Sequence, residues 1–226
     1  MSRFFEAARA DRWAWPLILI ATTGMRIGEC VALTWADIVE DRTGHPVVTV
    51  NKTRSEFQGK PYEGTPKTAA GTRSIPLSED AISMLNDLRE CAVVESGAHG
   101  QGVGPMSYVF PSPITGHPMS HDSLRNIMER ICTIAKVPKL SPHKLRHTFA
   151  SVNYAEGRSA GDISAVMGHA DISTTQRIYQ TSYDEGRRNT ALNFSKGKGD
   201  MPTTIENATP KLLTSKRPRK GGPRLP

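Results

Sequence analysis

The chain has few cysteines and no long apolar run, and each shortage narrows what it can be. Its 226 residues hold three cysteines, Cys30, Cys91 and Cys132. They are odd in number, widely spaced and set in helix-like stretches. They read as reduced core thiols of a cytosolic protein, not as a disulfide framework. The longest apolar stretch, Trp13 to Ala21, is interrupted by Pro16 and falls well short of the roughly 18 residues that span a bilayer. The N-terminus lacks the basic, apolar and small-residue succession of a secretory signal.

Excess charge of one sign is also missing from most of the chain. The net charge is +7, yet from Lys196 onward eight basic residues face only Asp200 and Glu206. Residues 1–195 carry 21 basic against 20 acidic side chains, a net charge of +1. Residues 196–226 read as a basic, solvated and disordered tail, compatible with contacts to a phosphate backbone. Net charge therefore identifies no partner for the rest.

What is present is a succession of clear element signals. Residues 13–23 read as a helix closed by the turn-prone Thr22, Thr23 and Gly24. A second helix is expected from about Met25 to Asp37, with Ile27, Val31 and Leu33 at helical spacing. Pro46 to Val50 is β-branched and reads as a strand; Thr72 to Pro76 reads as its antiparallel partner, after a loop containing Ala69, Ala70 and Gly71. Ser78 looks like an N-cap, with Ile82, Leu85 and Leu88 as the buried stripe. Residues 96–119, rich in Gly and Pro, read as a long loop with a short extended piece at Tyr108 to Phe110. Ser120 caps a helix with apolar positions Leu124, Ile127, Met128, Ile131 and Ile134. Ser141 followed by Pro142 marks another helix start, ending near Gly157; Asp162 to Met167 forms a short helix ending at Gly168, and one more begins near Ser173. The fold class is α+β, mainly helical with a small antiparallel sheet.

The polar residues at these junctions offer phosphate chemistry. His143 and Arg146 are three apart at a helix start and share a face, where free N–H groups favour an anion. HKLRH alone is equally a polar helix face. Its histidines, His143 and His147, also stand i,i+4 as metal ligands do, but the zinc hydrolase pattern needs a Glu where Lys144 stands. Arg26, just after Gly24, can grip two phosphoryl oxygens as a fork; Glu29 lies on the same face and can hold that fork, or be a routine helix pair. Lys67 sits between Pro66 and Thr68 in the strand–loop region, where a flexible amine can protonate a leaving oxygen, although loop lysines are usually just solvated. Lys52 and Lys60 are weaker candidates. His169 follows Gly168 at a helix end and Tyr179 comes ten residues later. A phenol with a pKa of about 10 needs a base or a cationic field to become a nucleophile. Tyr183, one turn on, is its rival.

The words TGMRIGE, PKTAAGTRSIPL, HKLRH and MGH, with a tyrosine ten residues on, resemble the catalytic domain of the tyrosine recombinases, the phage integrase family, from about residue 13 to about residue 183. The resemblance implies the DNA breaking-rejoining fold over residues 1–183 and a docking helix at 184–195. It implies strand cleavage with no metal or other cofactor. Tyr179 would attack the scissile phosphate, Arg26 and Arg146 would clamp its oxygens, and His169 would donate a further hydrogen bond. His143 would take the tyrosine proton and Lys67 would protonate the leaving oxygen. Implied partners are double-stranded DNA at attachment or recombination sites, further copies of the chain in a tetrameric synapse, and accessory DNA-bending proteins, with no membrane. The setting would be the cytoplasm of a prokaryotic cell and the source a phage or other mobile element. Family members carry an N-terminal DNA-clamping domain, so the chain reads as an isolated catalytic domain of a longer protein, the alternative being a naturally short member. Competing readings are a type IB topoisomerase-like enzyme, a catalytically inactive DNA-binding relative, and a metal hydrolase using His143, His147 and His169.

Overall fold

At the centre lies a helix with no polar face. The computed structural model describes residues 2–57, 60–65, 71–98, 102–113 and 115–168. In it, α2 (Trp15–Thr23) buries Pro16 through Ile20 together with Thr23. A helix apolar all round must be covered on every side. α1 (Ser2–Arg9), α3 (Ile27–Val31), α4 (Glu79–Ala98), α5 (His121–Ile134) and α6 (Pro142–Ala155) all pack against it, and α7 (Ala160–Met167) lies on α6. α1 lies before the first element expected from the sequence. It turns Phe4 and Ala8 inward, one helical turn apart, onto α2 and α5.

Serines start the later helices, as expected for Ser120 and Ser141; the last helix begins at Ala160 behind Ser159, two residues before the expected Asp162. The Oγ atoms of Ser120, Ser141 and Ser159 accept backbone N–H groups from Ser123, Lys144 and Asp162 at 3.0, 3.2 and 3.0 Å, satisfying donors that the first turn leaves unpaired. Ser78 makes a longer contact of the same kind to Ala81 at 3.4 Å. α5 buries Leu124, Met128, Ile131 and Cys132. Ile134, expected on that stripe, is exposed because it is the last residue of the helix and falls beyond the face that meets α1 and α2.

The sheet is larger than the two expected strands. β1 (Ile38–Glu40), β2 (Pro46–Val50) and β5 (Arg73–Pro76) form one antiparallel sheet in the order β1-β2-β5, with Val48 opposite Ile75 and Val50 opposite Arg73. A separate hairpin of β3 (Thr53–Phe57) and β4 (Lys60–Gly64) is inserted between β2 and β5 and touches α3.

Two further expectations are corrected. The helix predicted from Met25 to Asp37 is only α3. Thr34 and Asp37 bond to each other, the Asp37 carboxylate accepting the Thr34 N–H and hydroxyl at 2.8 Å each, which competes with helix continuation. Leu33 and Trp35 instead exchange backbone hydrogen bonds with Val109 and Ser107 at 2.9 and 3.1 Å. Cys30 and Cys132 are buried thiols, whereas Cys91 is exposed on α4.

The hairpin approaches α3 so closely that only glycine fits at the contact. A Cβ on Gly28 would lie 2.4 Å from the Arg54 carbonyl oxygen and 2.7 Å from Thr53 Oγ1. Gly28→Ala is therefore expected to lower the free energy of unfolding by about 1–3 kcal/mol, the usual cost of overpacking. Urea denaturation measures this, and wild-type stability in the variant would contradict the close approach.

Candidate active site

Arg26 is delivered by a turn that has no freedom to drift. α2 ends at Gly24, whose φ of 68° is left-handed and whose N–H donates to the Ile20 carbonyl at 3.0 Å. A Cβ there would lie 2.6 Å from the Phe149 ring on α6. The chain then extends through Arg26, which precedes the first turn of α3. Glu29 in that turn reaches back: its Oε2 accepts the Arg26 backbone N–H and its Oε1 accepts from Arg26 Nη1, both at 2.8 Å.

Glu29 is 2 % exposed, and a buried carboxylate needs cations and donors around it. Beyond Arg26 it finds Arg73 from β5, whose Nη2 and Nη1 donate to Oε2 and Oε1 at 2.8 and 3.2 Å. Burial pushes the Glu29 carboxyl up. The hydrogen bonds and charge of Arg73, with the bonds from Arg26, outweigh that and hold it below the usual glutamate range.

Arg146 comes from α6, within the first two turns after the Ser141 cap, and is buried. One guanidinium nitrogen donates to the Gly24 carbonyl, the other to Met167 O at 2.7 Å. Arg26 Nη2 donates to the Gly168 carbonyl at 2.9 Å, and Arg73 Nε donates to that of Val166. Three arginines thus take three successive carbonyls at the end of α7. A helix C-terminus carries unpaired C=O groups and partial negative charge, so cations are stabilised there. Burial, then the charge of Arg26, push Arg146 down to about 9, leaving it protonated at neutral pH.

On the same helix, His143 and His147 face each other with Nε2 atoms 2.8 Å apart and rings nearly perpendicular. One nitrogen must donate and the other accept. Burial first, then the charges of His143 and Arg146, lower the pKa of His147, which keeps His147 neutral at pH 7.

Of the residues expected from the sequence, Arg26, Glu29 and Arg146 are joined at the end of α7, and His143 stands one turn before Arg146. Lys67, His169 and Tyr179 lie outside the described residues. Lys52, a rival to Lys67, is occupied: its Nζ is 2.6 Å from Asp37 and 2.9 Å from Thr34 Oγ1. Arg73 was not singled out in the sequence, although a signal exists. It shares the inward face of β5 with buried Ile75, two residues on, and a charge on the inward face of a strand requires a counter-ion. Among the described residues no group of three or more His, Cys, Asp or Glu side chains is placed to hold a metal; the donors gathered here suit an anion.

A mainly helical domain with a small antiparallel sheet, gathering arginines at one helix end, has the tyrosine recombinase catalytic-domain fold. It aligns with the integrase of transposon Tn1549 in complex with transposon right end DNA at a TM-score of 0.58 and 24% identity, covering 76% of this chain and 57% of that one. It aligns with the XerH site-specific recombinase bound to a palindromic difH substrate at a TM-score of 0.60 and 21% identity, covering 86% and 51%. The chain belongs to the phage integrase family, whose model matches residues 5–185. It is 28% identical over 183 residues to a XerC-like tyrosine recombinase of Caldanaerobacter subterraneus subsp. tengcongensis, covering 77% of this chain and 46% of that protein. It is 27% identical over 170 residues to the transposase from transposon Tn916 of Enterococcus faecalis, covering 72% and 40%. The chain spans about half the length of the curated relatives it matches. No helix among the described residues is long and apolar enough to cross a membrane.

Removing Glu29 leaves Arg73 buried without its carboxylate, so Glu29→Ala is expected to cost about 3–5 kcal/mol of stability at pH 7. Because the folded pKa of Glu29 is depressed, its contribution is complete above the unfolded value of about 4.3 and is lost as the pH falls through the folded one. Denaturation of both proteins across that range should show the gap closing toward acid; a gap independent of pH would contradict the assignment.

Proposed function

We propose that this chain is the catalytic domain of a site-specific DNA recombinase or integrase of a mobile genetic element, which cuts and rejoins strands through a covalent 3′-phosphotyrosyl intermediate. Tyr179 Oη attacks the scissile phosphorus, forming a P–Oη bond as the bond to O5′ breaks. His143 takes the phenol proton and Lys67 supplies one to the departing 5′ oxygen. Arg26 and Arg146 hold the non-bridging oxygens and His169 adds a hydrogen bond. The 5′-hydroxyl of a partner duplex then attacks phosphorus and expels Tyr179, so no bond energy is lost and no metal or nucleotide is consumed. His147, neutral and 2.8 Å from His143, can accept a hydrogen bond from the imidazolium as it forms.

The observation that carries this reading is the meeting of Arg26 and Arg146, 120 positions apart in the chain, on the adjacent carbonyls of Gly168 and Met167. Guanidinium groups fixed before the reaction suit the charge spread over a pentacoordinate phosphate, and each such donor is typically worth about a hundred- to a thousandfold in rate. In this reading the substrate is double-stranded DNA at attachment or recombination sites. The working form is a homo-oligomer assembled on DNA as a tetrameric synapse in a prokaryotic cytoplasm, with residues 184–195 docking on a neighbour.

Trapping tests it. The chain is incubated in EDTA with nicked duplexes drawn from the DNA flanking its own reading frame, and the reaction is stopped in SDS. A covalent protein–DNA adduct is expected in the wild type and none in Tyr179→Phe. An adduct that survives in Tyr179→Phe moves the nucleophile to Tyr183; a wild type without adduct contradicts the reading.

A further inference from the structure

Glu29 competes with DNA. It places a carboxylate among the arginines, and whichever guanidinium neutralises it has less to offer an incoming phosphate. The two arginines that reach it differ in a way that decides which one does. Arg73 is 7 % exposed and donates to both Glu29 oxygens, at 2.8 and 3.2 Å, and to the carbonyls of Val166 and Gly71. Those bonds occupy four of the five N–H donors of a guanidinium. Arg26 is 45 % exposed and gives Glu29 one side-chain bond at 2.8 Å, with another to the Gly168 carbonyl.

We infer that Arg73 is a positioning residue. It is the standing counter-ion of Glu29, which leaves the charge of Arg26 for a DNA phosphate. This rests on the strand-transfer reading above. Glu29, Arg26, Arg73 and Arg146 together carry a charge of +2, enough to hold a phosphodiester of charge −1. Without Arg73 the set drops to +1, and the buried Glu29 carboxylate draws both Nη groups of Arg26 into a side-on pair. The fork then faces inward. Arg73 itself has too little exposed surface to contribute to DNA affinity. Its loss acts on the covalent step.

The test compares Arg73→Gln, Glu29→Gln, the double variant and Arg73→Lys with the wild type. Three quantities are read: single-turnover adduct formation on the nicked duplex with enzyme in excess, the Kd for the same DNA, and the folded fraction by near-UV circular dichroism at the assay temperature. Per folded molecule, Arg73→Gln is expected to form adduct roughly ten- to a hundredfold more slowly, the scale of a misplaced reacting group, with a much smaller change in Kd, which sums many phosphate contacts. Arg73→Lys keeps the charge without the fork and recovers part of the rate. In the double variant no buried carboxylate remains to capture Arg26, so its rate rises above that of Arg73→Gln and equals that of Glu29→Gln. That last equality decides the matter even if Arg73→Gln does not fold. Folded Arg73→Gln reacting at the wild-type rate, a loss confined to Kd, or a double variant much slower than Glu29→Gln would each overturn the inference while leaving strand transfer standing. A wild type that forms no adduct overturns both.

Discussion

Three guanidinium groups share the end of one eight-residue helix, and one buried carboxylate sits among them. Like charges held this close repel, and nothing in a hydrophobic core offsets that repulsion. Two things do so here: Glu29, kept ionised by Arg73 and Arg26, and the carbonyls of Val166, Met167 and Gly168, whose helix-end dipoles point at the cations. The rest of the domain can be understood as the scaffold that brings these partners from distant parts of the chain to one place.

Each scaffold element contributes one coordinate. α2 buries Pro16 through Ile20 and Thr23 and ends at Gly24, so the turn carrying Arg26 starts from the core of the domain. α6 packs on α2 and presents Arg146 to the Gly24 carbonyl, fastening the same turn from the other side. β5 is zipped to β2 with Arg73 opposite Val50, and α7 packs on both β5 and α6. A cation fixed in this way loses little entropy when a phosphate arrives and needs little reorganisation as charge builds on the reacting oxygens. The His143–His147 pair lies on α6 one turn before Arg146 and beside it.

Much of this was legible in the sequence wherever short-range chemistry decides the outcome. Ser120 and Ser141 as caps, Pro142 in the first turn, and Gly168 in the left-handed region at φ 66° are local rules, and the words around Arg26 and Arg146 lie on such boundaries. What escaped depends on distant partners. α3 stops early because Leu33 and Trp35 pair with residues more than seventy positions away. The β3–β4 hairpin is polar and carries no apolar alternation to announce it. Arg73 binds Glu29 at a separation of 44 residues and Val166 at 93. Its place on the inward face of β5 shows that it needs a counter-ion without saying which one.

The central claim is a division of labour, with Arg73 serving Glu29 so that Arg26 and Arg146 can serve DNA. The most direct measurement is a crystal structure of the chain bound to a nicked duplex. The account predicts Arg26 and Arg146 on the non-bridging oxygens of the scissile phosphate, with Arg73 still on Glu29 and the Val166 carbonyl. A structure in which Arg73 has left Glu29 to contact DNA, or in which Glu29 holds Arg26 away from the phosphate, would contradict it.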